Sequence, residues 1–85
     1  MAQGLTGQVL AVNRAYNFLV ISLGDKQGVA MNGEMIVKRG GLQVARVKIT
    51  SVEPTTSIAD IVPGSLGRGV NVQAGDEVIY PGSGI

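Results

Sequence analysis

Residues 35–44 of the chain read MIVKRGGLQV, two runs of strand-forming residues joined by a pair of glycines. Gly40 and Gly41 can supply the positive φ angles that a tight hairpin turn demands. The pattern therefore predicts a β-hairpin, with one strand over Glu34–Arg39 and the next over Leu42–Val52. The second strand is long, and its apolar positions change phase between Val44 and Val47. This change indicates a bulge or a coil at the corner of a barrel.

Short aliphatic runs punctuated by turn residues continue along the whole chain. There are 13 glycines, and no stretch shows the apolar spacing of an amphipathic helix over three turns. We expect six strands, at residues 7–13, 17–23, 34–39, 42–52, 57–62 and 77–80. The predicted fold class is all-β, a small closed or partly open six-stranded β-barrel. The 85 residues form a single domain, 1–85, because so short a chain cannot divide its core in two.

An internal repeat relates two halves of the sequence, residues 7–41 and 47–82. At an offset of 40 positions, Val9 and Val12 match Ile49 and Val52, and Phe18 and Ile21 match Ile58 and Ile61. After two one-residue insertions, Gly33-Glu34 matches Gly75-Asp76. A three-stranded unit with one apolar face cannot bury that face alone, so we expect the halves to pack about a pseudo-twofold axis. A chance likeness between valine-rich strands remains the alternative.

The residue types argue against catalysis. The sequence contains no histidine and no cysteine, which removes the commonest general base and the usual ligands of zinc, haem and iron–sulfur clusters. Neither Asp25 nor Asp60 lies in the Asp-Thr/Ser-Gly loop that aspartyl catalysis in two-lobed barrels uses. Residues 64–69 are glycine-rich but lack the Gly-Lys-Ser/Thr of a phosphate loop. We therefore predict no enzyme activity and no catalytic, cofactor-binding or metal-binding residue.

The charge balance favours a protein partner over a polyanion. The formal net charge is +1 and charged residues make up 15% of the chain, against roughly 25% in an average domain. Hydrophobic residues make up 45%, so a second subunit or another protein could cover part of the apolar surface. The alternative is that a compact barrel with many valines needs few charges. No apolar run approaches the roughly 20 residues of a membrane-spanning helix, so no membrane insertion is expected.

Two surface clusters are candidate binding sites. Arg14, Tyr16 and Asn17 lie in an expected turn, and arginine and tyrosine are enriched in interface hot spots. They are the predicted partner-binding residues, with an ordinary hairpin loop as the alternative. Lys38, Arg46 and Lys48 are predicted to share one face of the 34–52 hairpin and could bind an anion. A solvated strand face is the simpler interpretation of this second cluster.

Two Gly-acid pairs, Gly33-Glu34 and Gly75-Asp76, precede strands at matching places in the two halves. We interpret them as structural corners, where the glycine adopts the φ that a tight turn needs. The acid then accepts backbone N–H bonds across that turn. A ligand-binding role for the acids is the alternative.

Several segments resemble the C-terminal β-barrel of flagellar outer-membrane-ring assembly proteins and similar bacterial envelope modules. They are GQVLAV at 7–12, FLVISLG at 18–24, Gly28-Val29, GEMIV at 33–37, VKITSV at 47–52 and VQAGDEV at 72–78. The resemblance implies an assembly module that docks on other protein subunits in the bacterial envelope or periplasm, with no catalytic residues. The Gly-acid corners are also similar to those of cradle-loop barrels, which include DNA-binding dimers.

The leading hypothesis is a non-catalytic protein–protein interaction or structural module of a larger bacterial protein, self-association included. Its contacts are expected at residues 14–17 and at an exposed edge of the barrel. The alternative is weak binding of nucleic acid or another anionic polymer through Lys38, Arg46 and Lys48. An engineered barrel without a natural task also fits the sequence.

Overall fold

The computed structural model describes residues 4–67 and 69–81 and shows a closed barrel of six antiparallel strands. The strands are β1 (Thr6–Asn13), β2 (Phe18–Ile21), β3 (Glu34–Arg39), β4 (Leu42–Val52), β5 (Ser57–Ile61) and β6 (Glu77–Ile79). Within the described residues, the only helical element is a 3-10 turn at Asp25–Gln27. Around the barrel the order is β1-β2-β5-β4-β3-β6, and β6 pairs back onto β1. The predicted all-β class and six-stranded barrel are confirmed. Arg68 of the glycine-rich loop and residue 82 of the second repeat half lie outside the described residues.

The predicted hairpin between β3 and β4 is present with the bounds expected from the sequence. Gly40 has φ 58° and Gly41 has φ 84°, the left-handed conformation that a tight turn requires. β2 begins at Phe18 and not at the predicted residue 17, because Asn17 has φ 56° and stays outside the extended strand. The strand ends at Ile21, two residues before the predicted end at 23.

Alternating side chains from all six strands fill the interior. The buried aliphatic residues are Val9, Leu19, Ile21, Leu23, Val29, Met35, Val37, Val44, Ala45, Val47, Ile49, Ala59, Val72 and Val78. Burial of apolar surface at roughly 25 cal/mol per Å² is the main driving force for closing such a sheet on itself. Leu23, Val29 and Val72 lie outside the strands, so the long loops also contribute to the core.

The strand register shifts at three places. Val37 faces Ala45 whereas Lys38 faces Gln43, which leaves Val44 as an extra residue at the predicted change of phase. Both Val44 and Ala45 are buried, so the bulge turns two successive side chains inward. Similar shifts at Leu10 in β1 and Thr50 in β4 were not anticipated from the sequence.

The backbone pairing bears on the proposed repeat. When β1 is exchanged with β4, β2 with β5 and β3 with β6, every strand keeps the same kind of neighbours around the barrel. The strand order is therefore compatible with a twofold relation between the halves. Val9 N–H donates to the Asp76 carbonyl and Gly75 N–H donates to the Val9 carbonyl, while Ile49 has the same two bonds with Gly33 and Asn32.

This hydrogen bonding makes Asn32 the counterpart of Gly75, and Gly33 the counterpart of Asp76. The sequence alignment placed this corner one residue later in the first half. The duplication itself remains a prediction. Its alignment needs that one-residue shift here and a two-residue shift between β2 and β5, because Ile21 faces Val9 as Ala59, not Ile61, faces Ile49.

Ser57 is an unpaired polar residue in the barrel interior. Its side chain is 1% exposed, and its hydroxyl has no hydrogen-bond partner. Ser57 faces Val52 in the second hairpin as Leu19 faces Val12 in the first, so the second half has a hydroxyl where the first has an aliphatic group. A buried hydroxyl without a partner costs about 1–3 kcal/mol.

We therefore expect Ser57→Ala to raise the free energy of unfolding by about 1 kcal/mol in a urea titration. Ser65→Ala is the matched control, because the Ser65 hydroxyl donates to the Val62 carbonyl at 2.7 Å and accepts from Arg46 N–H at 3.1 Å. That control should lose stability. A Ser57→Ala protein that loses as much as Ser65→Ala would contradict the assignment of Ser57 as unpaired.

Candidate protein-contact site

The turn between β1 and β2 is held in place from both sides. Tyr16 N–H donates to Asn13 Oδ1 at 3.1 Å, which closes the turn on itself. The Asn17 carbonyl accepts the Ile61 N–H at 2.9 Å, which ties the turn to the end of β5. Tyr16 is nevertheless 79% exposed. The backbone therefore presents an aromatic side chain to solvent from a fixed position.

A groove of about 440 Å³ lies beside this turn. It is lined by Tyr16, Asn17, Glu34, Lys48, Asp60, Ile61, Val62 and Pro63. The structure thus brings two predicted partner-binding residues together with Glu34 and Lys48, which the sequence analysis had assigned to other sites. Arg14 is exposed on the same turn and does not line the groove. Residues 60–63 were not predicted as site residues, since a strand end followed by Pro63 is an ordinary pattern.

Opposite charges alternate across the sheet at the groove. Lys48 on β4 faces Glu34 on β3 and Asp60 on β5. Arg46 Nη1 lies 3.5 Å from Glu34 Oε1, with both side chains almost half exposed. Exposed pairs of this kind contribute about 0–1 kcal/mol. The row therefore adds little to the stability of the barrel and leaves charges of both signs beside the groove.

The three basic residues proposed for anion binding share the outer face of β3 and β4, and each has an acidic neighbour. Lys38 faces Glu77 on β6, while Arg46 contacts Glu34, the residue that also faces Lys48. Three acids, Glu34, Asp60 and Glu77, thus accompany the three basic residues. Polyanion binding depends on unbalanced positive charge, so this face gives the anionic-polymer alternative little support.

The second Gly-acid corner has the predicted geometry. Gly75 has φ 94°, and Asp76 Oδ2 accepts the Gln73 N–H at 2.8 Å. Arg39 donates from Nε to Asp76 Oδ1 at 2.8 Å and from Nη2 to Oδ2 at 2.9 Å. The Arg39 hydrogen bonds hold the pKa of Asp76 below its usual value; burial opposes this lowering, and the Gln73 N–H supports it. The corner is thus a structural clamp between β3 and the loop before β6.

The first corner differs from the prediction. The positive φ of 66° is at Asn32 and not at Gly33, because asparagine also tolerates the left-handed conformation. The Glu34 carboxylate reaches the Arg46 side chain, and Glu34 begins strand β3 instead of closing the turn. The positive φ expected at Gly33 and the turn-closing hydrogen bonds expected of Glu34 are therefore wrong. Gly33 still closes the turn, because its N–H donates to the Ala30 carbonyl, and Glu34 belongs to the groove.

A second, smaller notch of about 180 Å³ lies at the β3–β4 hairpin. It is lined by Arg39, Leu42, Gln43, Val44 and Val70, and Leu42 is 75% exposed. The Arg39 guanidinium is already engaged by Asp76 and by the Asn71 carbonyl. The notch therefore offers mainly an apolar surface.

Comparisons with family models, curated proteins and solved structures found no match to this chain. The resemblance to flagellar ring modules accordingly remains a prediction. Among residues 4–67 and 69–81, no three acidic side chains come together as a set of metal ligands. The same residues contain no helix long and apolar enough to cross a membrane.

Proposed function

We propose that the chain is a non-catalytic protein–protein interaction or structural module, with its contact surface at the 14–17 turn and the adjoining groove. The observation that carries this proposal is Tyr16, an aromatic side chain 79% exposed at the margin of a 440 Å³ groove. The resemblance to ring assembly modules extends the proposal to a subunit of a larger bacterial envelope protein.

Physical reasons favour a protein as the occupant of this groove. Tyrosine provides a large contact area at a low cost in side-chain entropy, and the hydrogen-bonded turn already holds the backbone in place. A fixed turn reduces the ordering cost that binding must overcome. Ile61, Val62 and Pro63 give the groove an apolar wall, and Asp60 and Lys48 give it charges of both signs. An apolar centre bordered by polar and charged groups is typical of protein interfaces.

Closure of the barrel argues against the contact that the sequence led us to expect at an exposed barrel edge. Every strand pairs on two sides in the ring, so a partner strand added along an exposed barrel edge is not the expected mode of contact. Side chains of the turn and groove carry the contact instead.

A cysteine-free sequence allows a direct test. Ala15→Cys lies beside Tyr16 on the exposed turn and leaves the tyrosine in place. Labelled with benzophenone maleimide and irradiated in an extract of the source cells, it should give a discrete adduct. Excess unlabelled wild-type protein should abolish an adduct with another protein and increase an adduct with this chain itself. Lys26→Cys, on the 3-10 turn outside the groove, is the matched control and should give no adduct that the wild-type protein competes away. Equal labelling at both positions, or adducts that do not change when wild-type protein is added, would reject the groove as a contact site.

Tyr16→Ala should compete at least about tenfold more weakly than wild type in this assay, because truncating an aromatic hot spot removes 1.4 kcal/mol or more of binding free energy. Its free energy of unfolding should change by less than about 0.5 kcal/mol, since the ring is exposed. Leu42→Ala truncates a similarly exposed apolar side chain in the other notch and should compete like wild type. If Leu42→Ala weakens competition and Tyr16→Ala does not, the contact lies at the hairpin notch.

The alternative function, binding of an anionic polymer through Lys38, Arg46 and Lys48, predicts affinity that falls as salt rises. Titration with single- and double-stranded DNA and RNA at low salt tests it. Binding that weakens with salt and is lost in Lys38→Gln and Arg46→Gln would support this alternative, and a flat titration would remove it.

A further inference from the structure

We propose that the partner seated on the Tyr16 groove is a second copy of this chain, in a dimer with twofold symmetry. This inference rests on the proposed function, because it identifies the occupant of the same groove. In a twofold dimer the same surface patch of both subunits forms the interface, so the patch must be complementary to itself. The 14–17 turn and the groove beside it meet this condition in both charge and apolar surface.

The charge of the patch is divided into separate regions. Arg14 is exposed on the turn and forms no ion pair with any described residue. The adjoining groove has two acids and one lysine; Asp60 faces Lys48 across the sheet but forms no ion pair with it or with the other described residues. A twofold axis beside the turn brings Arg14 of each copy toward the acidic groove of the other. Both unpaired charges, Arg14 and Asp60, then gain a partner of opposite sign.

The apolar part of the patch is also self-complementary. Tyr16 projects from the turn, and Ile61, Val62 and Pro63 form an apolar wall of the groove. Each Tyr16 ring can pack on the other copy's wall, and a buried aromatic ring removes about 150–250 Å² from water. With an equal area covered on the other copy, two such rings bury roughly 600–1,000 Å² in total, which is below the roughly 1,200 Å² of standard specific interfaces. We therefore expect a weak dimer with a Kd in the micromolar range of roughly 1–100 µM.

Sedimentation velocity across protein concentrations from about 5 to 500 µM at low salt tests this proposal. The wild-type protein should shift from monomer to dimer within that range. Arg14→Glu and Asp60→Arg should each weaken the dimer by at least about tenfold, because each replaces two attractive contacts with two repulsive ones. The variant carrying both changes should return to within about threefold of the wild-type Kd, since opposite charges face each other again.

Two controls separate this specific pairing from a general effect of net charge. Lys26→Glu changes the net charge as Arg14→Glu does, and Glu53→Arg changes it as Asp60→Arg does. Neither control residue lines the groove. Both controls should dimerise like wild type.

A wild-type protein that stays monomeric at about 500 µM overturns the dimer. A dimer that tolerates both charge reversals, or a double variant that fails to recover, overturns the assigned surface. If the chain is monomeric and the Ala15→Cys probe still forms a competed adduct with a different protein, this inference fails and the proposed function stands. A monomer with no competed adduct contradicts both.

Discussion

Replacing Gly24 with alanine is expected to lower the free energy of unfolding by about 3 kcal/mol. Gly24 is buried where the 3-10 turn packs against the β4–β5 connection. A Cβ atom there would lie 2.6 Å from Thr55 N and 2.7 Å from the carbonyl carbon of Pro54, and it would also collide with the Glu53 carbonyl oxygen. All three atoms belong to the backbone, so no side-chain rotation can relieve the overlap.

The same overlap would separate two segments that hydrogen bonds now join. Asp25 N–H donates to the Glu53 carbonyl at 2.8 Å, and Lys26 N–H donates to the Pro54 carbonyl at 2.9 Å. Stretching these bonds adds to the steric cost. Urea unfolding followed by circular dichroism measures the loss.

Gly28→Ala is the matched control for Gly24→Ala. Gly28 has φ 91° and open space where a Cβ atom would lie, so alanine there costs only the conformational penalty of about 1–2 kcal/mol. Equal losses in the two variants would mean that the loop at 24–28 does not pack on the β4–β5 connection as described.

Asp76→Ala is expected to lower the free energy of unfolding by about 2–3 kcal/mol. The carboxylate is 5% exposed and accepts three hydrogen bonds, two from Arg39 and one from Gln73 N–H. Its removal leaves the Gln73 N–H without this partner and frees the last loop from β3. The Arg39 side chain is 42% exposed, so water can solvate it again, which keeps the loss below that of a fully buried pair.

The Asp76 clamp also predicts how stability changes with pH. Its pKa is lowered in the folded protein, so the unfolded state binds the proton more readily and the contribution is fully present above the ordinary aspartate pKa of about 3.9. It is lost as the pH falls through the lower folded-state pKa. In urea titrations between about pH 7 and pH 2, the free energy of unfolding should therefore fall less in Asp76→Asn than in wild type as the pH is lowered.

Glu34→Gln is the control for this pH dependence, because the Glu34–Arg46 pair is exposed and long. The free energy of unfolding of Glu34→Gln should fall with pH by the same amount as that of the wild-type protein. If Asp76→Asn and wild type lose stability in parallel, the ion pair with Arg39 does not form in solution.

Local pattern was enough to predict the strands. The Gly40-Gly41 turn, the alternation around it and the change of phase near Val44 are properties of adjacent residues, and β3 and β4 have the predicted bounds. Asn32-Gly33 shows where local pattern fails. Both residues tolerate a positive φ, so the sequence did not indicate which one makes the turn, and the first corner was assigned one residue too late.

Contacts between distant segments were harder to predict. Arg39 and Asp76 are separated by 37 positions, and Lys48 meets both Glu34 and Asp60 only because β4 lies between β3 and β5. Tyr16 could be proposed from residue type and turn position alone. The apolar wall at Ile61 and Val62 could not, since it depends on the pairing of β2 with β5.

The barrel closes through β6, a strand of only three residues, and nuclear Overhauser effects across this strand provide the most direct test. Val78 faces Gly7 on β1 and Val37 on β3, so backbone proton contacts should connect Val78 to both residues in one spectrum. Observation of both sets confirms a closed six-stranded barrel that holds the Asp76 clamp and the Tyr16 groove in place. Val78 contacts to only one neighbour, or to neither, would show an open sheet and contradict the structure on which the proposed contact surface depends.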